Sequence, residues 1–371
     1  MKLNALKSFW AHCCKLFLLA FIFSSSALAD HQIKVGVSTA LTGDAAPFGV
    51  DIKNALTLMN EKYGNGKYEL IFEDEMCDNR TAANVANKLI NIDKVKYVLG
   101  FPCNSTMLAT ASIYERSKVL VITSSATSGD VLDVGRHIFR LFPSDTAGAK
   151  LLYHYMAKHH KKIAILTEQN EYPVMMERTI KKENEKSTNP IELVTEEFVH
   201  GESDLRTVIL KLIDKKVEGI FVNANTDTTF IPVVKQIRAM KYEGALYSAY
   251  LPGSAVVLKE LGNEVNGFVY SNLPLADNLV TPKGKELLSE FRKRFGEPQS
   301  GFPVVPTSFE AFRVFDLAIQ SGSDPVEYLS KNKFSGGFLP DFYFDEHGAV
   351  QGINFEMQKI VDGKIVVINE R

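Results

Sequence analysis

Cysteine is scarce in this chain, and long apolar runs are almost absent. Only four cysteines occur in 371 residues, and two of them, Cys13 and Cys14, lie in the N-terminal segment. Beyond residue 29 no stretch is apolar over the roughly 20 residues that a membrane-spanning helix needs. The sequence therefore predicts a protein that is not embedded in a membrane.

An excess of positive charge is also lacking. Residues 30–371 contain 39 basic against 44 acidic residues, which gives a net charge of −5. The two signs are interspersed, whereas nucleic-acid-binding proteins concentrate lysine and arginine on one face. We therefore expect no nucleic acid partner.

The familiar catalytic and metal-binding motifs are missing. No His-Glu-x-x-His helix, Gly-x-Ser-x-Gly elbow or phosphate-binding loop occurs. His159 and His160 are adjacent and point in different directions, which makes a poor metal pair. We predict no metal, no cofactor and no enzymatic activity. An exported hydrolase is a weak alternative, because no nucleophile–base pair is evident.

The first 29 residues have the pattern of a secretory signal peptide. Lys2 and Lys7 precede an apolar run of eight residues, 16–23, and Ala27–Ala29 offers a small-residue cleavage site. The alternative is a membrane anchor, but the run is too short to span a bilayer. We expect cleavage after Ala29, export, and a periplasmic location.

Two cysteines, Cys77 and Cys103, remain after this cleavage. An exported chain with two cysteines usually pairs them. The crosslink would close a loop of 26 residues, worth about 3 kcal/mol in the chain-entropy model. Two unpaired buried thiols are the alternative at this point.

Short β-branched runs alternate with amphipathic segments along the chain, which predicts an α/β fold with parallel sheets covered on both faces. The predicted strands are 33–37, 68–73, 97–100, 119–122, 163–166, 191–199, 219–222, 246–249 and 267–270, and the predicted helices are 46–63, 80–90, 105–116, 174–184, 204–215, 230–240, 281–295 and 308–321. The pattern restarts near Ile163, and 342 residues exceed one usual core, so we predict two doubly wound lobes. Segments 342–344 and 351–360 close the chain with an antiparallel hairpin pattern.

Two polar turns, 101–106 and 123–128, follow apolar runs, and each leads into a segment that could open a helix. Such a turn places unpaired backbone N–H groups beside the positive end of a helix, which favours an anion. Other polar segments at strand ends are 38–43, 168–172, 223–228 and 249–252. Ligands of open α/β sheets bind at these ends, so we predict a cleft between the lobes that holds a ligand without reacting with it.

Several motifs, in this order and spacing, resemble the type I periplasmic binding proteins, in particular the leucine/isoleucine/valine-binding proteins of ABC importers. They are Ile33-Lys34-Val35-Gly36-Val37 with Leu41-Thr42-Gly43, Asp74-Glu75-Met76-Cys77-Asp78, Val98-Leu99-Gly100 with Cys103-Asn104-Ser105, Ile122-Thr123-Ser124-Ser125-Ala126-Thr127, and Phe344-Asp345-Glu346-His347-Gly348. The resemblance covers essentially the whole chain after residue 29.

This resemblance implies a Venus-flytrap fold whose two Rossmann-like lobes are joined by a three-strand hinge. Lobe 1 would comprise residues 30–143 and 275–349, and lobe 2 residues 144–274 and 350–371. The family disulfide falls on Cys77 and Cys103, in agreement with the cysteine count.

The resemblance also implies site residues. Asn104, Ser125 and Thr127 stand where lobe 1 of amino-acid-binding members holds the ligand carboxylate, although Ser125 and Thr127 could instead only cap a helix. In lobe 2, Tyr172 matches a tyrosine that closes over the ligand, Asn225 takes an aromatic position, and Phe48 of lobe 1 replaces another tyrosine.

Tyr250 takes the position of the acid that binds the ligand ammonium. A neutral phenol cannot balance a buried ammonium. Unless Asp227 or Glu168 reaches in, we expect a ligand without a free α-amino group, held against an aromatic wall.

The resemblance implies a monomeric substrate-binding protein that delivers its ligand to an inner-membrane permease. The ligand would carry a carboxylate or amide and resemble a branched-chain amino acid or an aromatic acid. A periplasmic sensor that docks on a signalling receptor is the alternative.

Overall fold

The structure, a computed structural model, describes residues 32–127, 134–274, 276–300 and 302–368. The predicted signal peptide lies outside the described residues. The first part of the chain forms a parallel five-stranded sheet in the order β2–β1–β3–β4–β5. Its strands are β1 (Ile33–Thr39), β2 (Tyr68–Asp74), β3 (Tyr97–Gly100), β4 (Leu120–Thr123) and β5 (Ile138–Arg140).

Three helices connect these strands: α1 (Ala46–Tyr63), α2 (Asn79–Asn91) and α3 (Asn104–Arg116). Local chemistry sets their starts. Asp78, for example, accepts a hydrogen bond from the Thr81 amide at 2.8 Å, which caps α2. The sheet is buried on both faces, as Val35 and Val98 illustrate with no exposed surface. It therefore has the continuous apolar strands of a covered parallel sheet.

The chain then builds a seven-stranded sheet in the order β15–β14–β10–β9–β8–β6–β7. Its strands are β6 (Lys162–Glu168), β7 (Glu192–Phe198), β8 (Gly219–Asn223), β9 (Ala245–Ala249), β10 (Val269–Asn272), β14 (Glu356–Val361) and β15 (Lys364–Val367). Strands β6–β10 are parallel to one another, and β14 and β15 add antiparallel strands at one edge. The helices are α4 (Asp145–His159), α5 (Glu171–Lys186), α6 (Arg206–Asp214), α7 (Asp227–Ala239) and α8 (Ala255–Leu261).

Between β10 and β14 the chain returns to the first sheet, where α11 packs against α1. This excursion contains α9 (Ala276–Leu279), α10 (Pro282–Phe295), α11 (Val304–Gln320), α12 (Pro325–Lys331), β11 (Lys333–Phe334), β12 (Phe342–Phe344) and β13 (Val350–Gln351). The last three strands form a small antiparallel sheet. Within the described residues the chain thus passes between the two large sheets three times, at 141–144, after 272 and at 352–355. The residue bounds of the two lobes stay a prediction.

Most predicted elements are confirmed, α1 to the residue. The antiparallel pairing predicted for 342–344 and the segment after it is confirmed at Val350–Gln351. The segment predicted at 351–360 is divided, because residues 352–355 leave the small sheet and cross to the seven-stranded one. Gly352, with φ of +106°, allows this change of direction. The helix predicted after the turn at 123–128 lies outside the described residues.

The Cys77–Cys103 disulfide is present, with Cα atoms 5.8 Å apart, and this excludes the alternative of two free thiols. It ties the residue before α3 to the loop between β2 and α2. Among the described residues, no helix combines the length and the apolar composition that a bilayer crossing requires.

Candidate ligand-binding site

A cavity that is partly open to solvent, with about 420 Å³ of empty space when the solvent at its mouth is included, lies where the carboxyl ends of the parallel strands of the two sheets face each other. Its lining comes from both halves of the molecule: Ala45, Phe48, Pro102, Cys103, Asn104, Ser125, Thr127, Tyr172, Asn225, Thr226, Tyr250 and Phe302. Seven of the eight predicted site residues therefore meet at one cavity, and Asp227 is not part of its lining.

The wall from the first sheet is polar and almost fully buried. Asn104 stands at the start of α3, where the N-cap residue Cys103 makes no side-chain cap, so the positive end of this helix borders the cavity. The Asn104 side chain donates to Thr127 Oγ1 at 3.1 Å and accepts from the Thr127 amide at 2.6 Å. Ser125 donates to the Phe101 carbonyl at 3.2 Å. The two polar turns are thereby joined into one surface.

Thr127 also contacts a carboxyl group that the sequence reasoning missed. Its hydroxyl is hydrogen-bonded to Asp145, the first residue of α4. Burial, the largest influence, raises the pKa of Asp145 well above its usual range, although the charge of Arg140 opposes this. Arg140 in turn donates to the Thr127 carbonyl. A protonated Asp145 can donate to Thr127, which frees the threonine hydroxyl to donate into the cavity.

Four aromatic rings, Phe48 and Phe302 from the first half of the molecule and Tyr172 and Tyr250 from the second, form the rest of the large side-chain lining. The Tyr250 ring lies 3.7 Å from Phe302, 5.7 Å from Tyr172 and 5.9 Å from Phe48, measured between centroids. The Tyr250 hydroxyl donates to the Asn225 carbonyl at 2.7 Å, so this hydroxyl is engaged within its own half of the molecule. The cavity therefore has one polar end that can hold an anion, and its remaining part is lined by flat aromatic rings.

A family model described as periplasmic binding protein matches residues 32–323. The chain belongs to the periplasmic binding protein family. The Leu/Ile/Val-binding protein homolog 2 of Brucella abortus is 30% identical over 384 aligned positions, covering 96% of this chain and 98% of that protein. The leucine-, isoleucine-, valine-, threonine- and alanine-binding protein of Pseudomonas aeruginosa is 28% identical, covering 90% and 91%.

Solved structures share the fold of this periplasmic binding protein. A leucine-binding protein from Thermotoga maritima superposes with a TM-score of 0.82 at 18% identity, covering 91% of this chain and 97% of that one. A solute-binding protein of an ABC transporter from Rhodopseudomonas palustris, in complex with 3,4-dihydroxybenzoic acid, gives 0.78 at 22% identity, covering 91% and 96%. These matches confirm the type I family and the two-lobed α/β fold predicted from the sequence.

Neither acid considered for the second lobe of this periplasmic binding protein lines the cavity. Asp227 accepts from the Ser254 hydroxyl at 2.7 Å, and burial raises its pKa to about 6. Glu168 is fully buried and accepts from the Asn225 amide at 2.7 Å. The roles assigned to the eight site residues stay predictions.

Sequence reasoning missed Phe302, Asp145 and Arg140 at this site. Phe302 reaches the cleft from the segment between α10 and α11, far along the chain from the polar turns. Asp145 follows Ser144, whose side chain accepts from the Thr146 amide, so in the sequence it has the pattern of an ordinary helix start. The signal in the sequence that could have indicated Asp145 is its position directly after a predicted crossover between the lobes. Within the described part of the chain no cluster suited to a metal ion is found.

Proposed function

We propose that this chain is the substrate-binding component of an ABC importer, which traps a small carboxylate- or amide-bearing ligand between its lobes. The cavity between the two sheets carries the proposal, because the first lobe supplies polar donors and both lobes supply aromatic rings. A ligand that touches both lobes stabilises the closed form over the open one. The closed form would then deliver it to an inner-membrane permease.

The polar and aromatic parts of the lining indicate the class of ligand. A carboxylate placed at Asn104, Ser125 and Thr127 would gain charge-assisted hydrogen bonds, each worth about 1.5–3 kcal/mol, once the Ser125 hydroxyl turns from the Phe101 carbonyl to the ligand. The rings of Phe48, Tyr172 and Tyr250 suit a branched apolar or aromatic body. Proteins of similar structure support both kinds of ligand, since one is in complex with isoleucine and another with 3,4-dihydroxybenzoic acid.

The N-terminal segment supports a periplasmic place for this function. Residues 1–29 have the charge and apolar pattern of a signal peptide, and the paired cysteines fit an oxidising compartment. We propose export, cleavage after Ala29, and action as a monomer.

A ligand screen tests the proposal directly. The mature chain, residues 30–371, would be melted with leucine, isoleucine, benzoate, 3,4-dihydroxybenzoate and their amides. A ligand at 100 times its dissociation constant stabilises the folded state by about 2.7 kcal/mol, which is a measurable rise in melting temperature. Calorimetric titration then gives the affinity. If no compound of this class raises the melting temperature, the proposed function is lost.

Two variants locate the bound group. Ser125→Ala and Thr127→Ala remove one hydroxyl each from the polar wall, and we expect each to weaken a carboxylate ligand about tenfold. Ser330→Ala is the matched control, because Ser330 donates to Val326 within α12, far from the cavity. Equal affinity in all four proteins would remove the anion site.

A further inference from the structure

His200 lies between two carboxylates that belong to opposite halves of the molecule. Its Nδ1 is 2.6 Å from Glu168 Oε1, and its Nε2 is 3.3 Å from Asp44 Oδ2. Glu168 ends β6 in the seven-stranded sheet, whereas Asp44 lies in the turn between β1 and α1 of the five-stranded sheet. One imidazole ring therefore bridges the cleft beside the ligand cavity.

The anchor of this bridge in the second lobe is rigid. The Glu168 side chain is fully buried, and it also accepts from the Asn225 amide at 2.7 Å and from Thr229 Oγ1 at 3.4 Å. His200 and Asp44 are about half exposed, at 50% and 46%. The histidine therefore stays with its own lobe when the cleft opens, and the contact with Asp44 is the part that breaks.

The charged groups around the His200 ring determine which protonation state can bind both carboxylates. Glu168 and Asp44 face its two nitrogens, and Glu202 lies on the same turn, where it accepts from the Val199 amide at 3.2 Å. A neutral imidazole has one N–H, and an ionised carboxylate can only accept. Both carboxylates can be satisfied at once only by the imidazolium, the protonated form of the histidine side chain.

We propose that Asp44, His200 and Glu168 form a proton-dependent clasp that holds the two lobes together in the closed form. The clasp is complete when His200 is protonated. When the ring is neutral, its single N–H serves the buried Glu168, and the lone pair of Nε2 then faces Asp44. The effect on ligand affinity rests on the proposed function, whereas the effect on lobe closure does not.

The test measures closure without any ligand. Dyes on Ile92→Cys and Leu210→Cys, both at exposed positions on opposite lobes, would report the closed fraction of the mature chain by energy transfer at about pH 5.5 and about pH 8. An ion pair of this exposure shifts such an equilibrium about two- to fivefold. We expect the closed-to-open ratio to be higher by this factor at the lower pH.

Asp44→Asn removes the charge on the first lobe while keeping the shape of the side chain, and we expect it to abolish the pH effect. His200→Gln should do the same. His347→Gln is the matched control, because His347 is exposed and pairs with the neighbouring Glu346, and it should behave as the parent does. A pH effect of equal size in the parent and in Asp44→Asn would overturn the clasp.

A second measurement separates this inference from the proposed function. Isoleucine and benzoate would be titrated into the parent and Asp44→Asn at both pH values. If neither binds but closure still depends on pH through Asp44, the clasp stands and the proposed function fails. If one binds and its affinity changes equally with pH in both proteins, the clasp is refuted.

Discussion

At the scale of single residues, the site depends on the protonation of Asp145. This side chain is 2% exposed and hydrogen-bonded to the Thr127 hydroxyl. If it is neutral, it acts as a donor and Thr127 can serve a ligand anion. If it is ionised, it adds a negative charge behind Thr127, close to Arg140, and this charge could partly balance a ligand ammonium where Tyr250 cannot.

We expect Asp145→Asn to leave the affinity for benzoate-type carboxylates within about threefold at pH 6. Asparagine imitates the neutral acid, since its amide can donate to Thr127. Burial raises the pKa of Asp145, so the parent should lose affinity as rising pH ionises the carboxyl, and the variant should not. Calorimetric titration from pH 6 to 9 measures both. An isoleucine affinity that falls tenfold in Asp145→Asn would contradict the neutral form and identify an ammonium partner.

Tyr250 contributes its ring and not its hydroxyl, because that hydroxyl donates to the Asn225 carbonyl 2.7 Å away. We expect Tyr250→Phe to keep ligand affinity within about twofold while lowering the free energy of unfolding by about 1 kcal/mol. Tyr250→Ala should lower the affinity more than tenfold, because the ring contact with Phe302 is lost. Titration and urea unfolding of both variants measure these effects. A Phe variant that binds as weakly as the Ala variant would assign the hydroxyl to the ligand.

At the scale of elements, residue patterns predicted the helices and strands well where periodicity was long. Helix α11 begins at Val304, four residues before its predicted start at Ser308. The sequence conceals this start because the prolines at 303 and 306 resemble helix breakers. Pro306 in fact lies in the first turn, where no amide is needed for an internal hydrogen bond. Strand β5 was missed because three residues, Ile138–Arg140, carry too little pattern.

The end of β2 shows how neighbouring residues acquire opposite electrostatics. Glu75 is fully buried and accepts from Ser38 Oγ at 3.2 Å and Thr106 Oγ1 at 2.8 Å, and burial raises its pKa to about 7. For Asp74, burial alone would raise the pKa, but hydrogen bonds from the Thr42 hydroxyl and the Leu41 amide lower it overall. Alternation along a strand places the two side chains on different faces.

This contrast predicts the pH dependence of stability. The folded state holds the Glu75 proton more tightly than the unfolded chain does. Protonated Glu75 therefore contributes to the free energy of unfolding in full below about pH 4.5, and this contribution is lost as the pH rises to about 7. The free energy of unfolding of the parent should therefore fall by up to about 3 kcal/mol over this pH range, and we expect Glu75→Gln not to show this fall. Urea unfolding at pH 5 and pH 8 measures the change. Asp74→Asn is the matched control, and its effect should have the opposite sign, appearing only as the pH falls. An unchanged slope in Glu75→Gln would mean that this carboxyl is ionised throughout.

At the scale of the whole molecule, the sequence predicted the two lobes and the cleft, because both follow from the alternation of strands and helices. It could not predict which distant residues complete the site. Phe302 reaches the cavity, and Asp145 reaches Thr127 in its wall, only because the chain crosses between the lobes more than once. Such crossings are set by the packing of whole elements and leave no local pattern.

Lobe closure can be followed in a chain that has no tryptophan after residue 29, since the single tryptophan is Trp10. Phe48 lies on the first lobe and contacts Tyr250 of the second at 5.9 Å between ring centroids, so Phe48→Trp places one indole at the cleft. We expect its emission to shift to shorter wavelength when a ligand closes the lobes, because the ring leaves water for an aromatic cavity. Tyr343→Trp, at a position 44% exposed on β12, should show no shift. Fluorescence titration of both variants decides the matter: a ligand that binds calorimetrically without moving the emission of the Phe48→Trp indole would mean that binding does not close the lobes over the site.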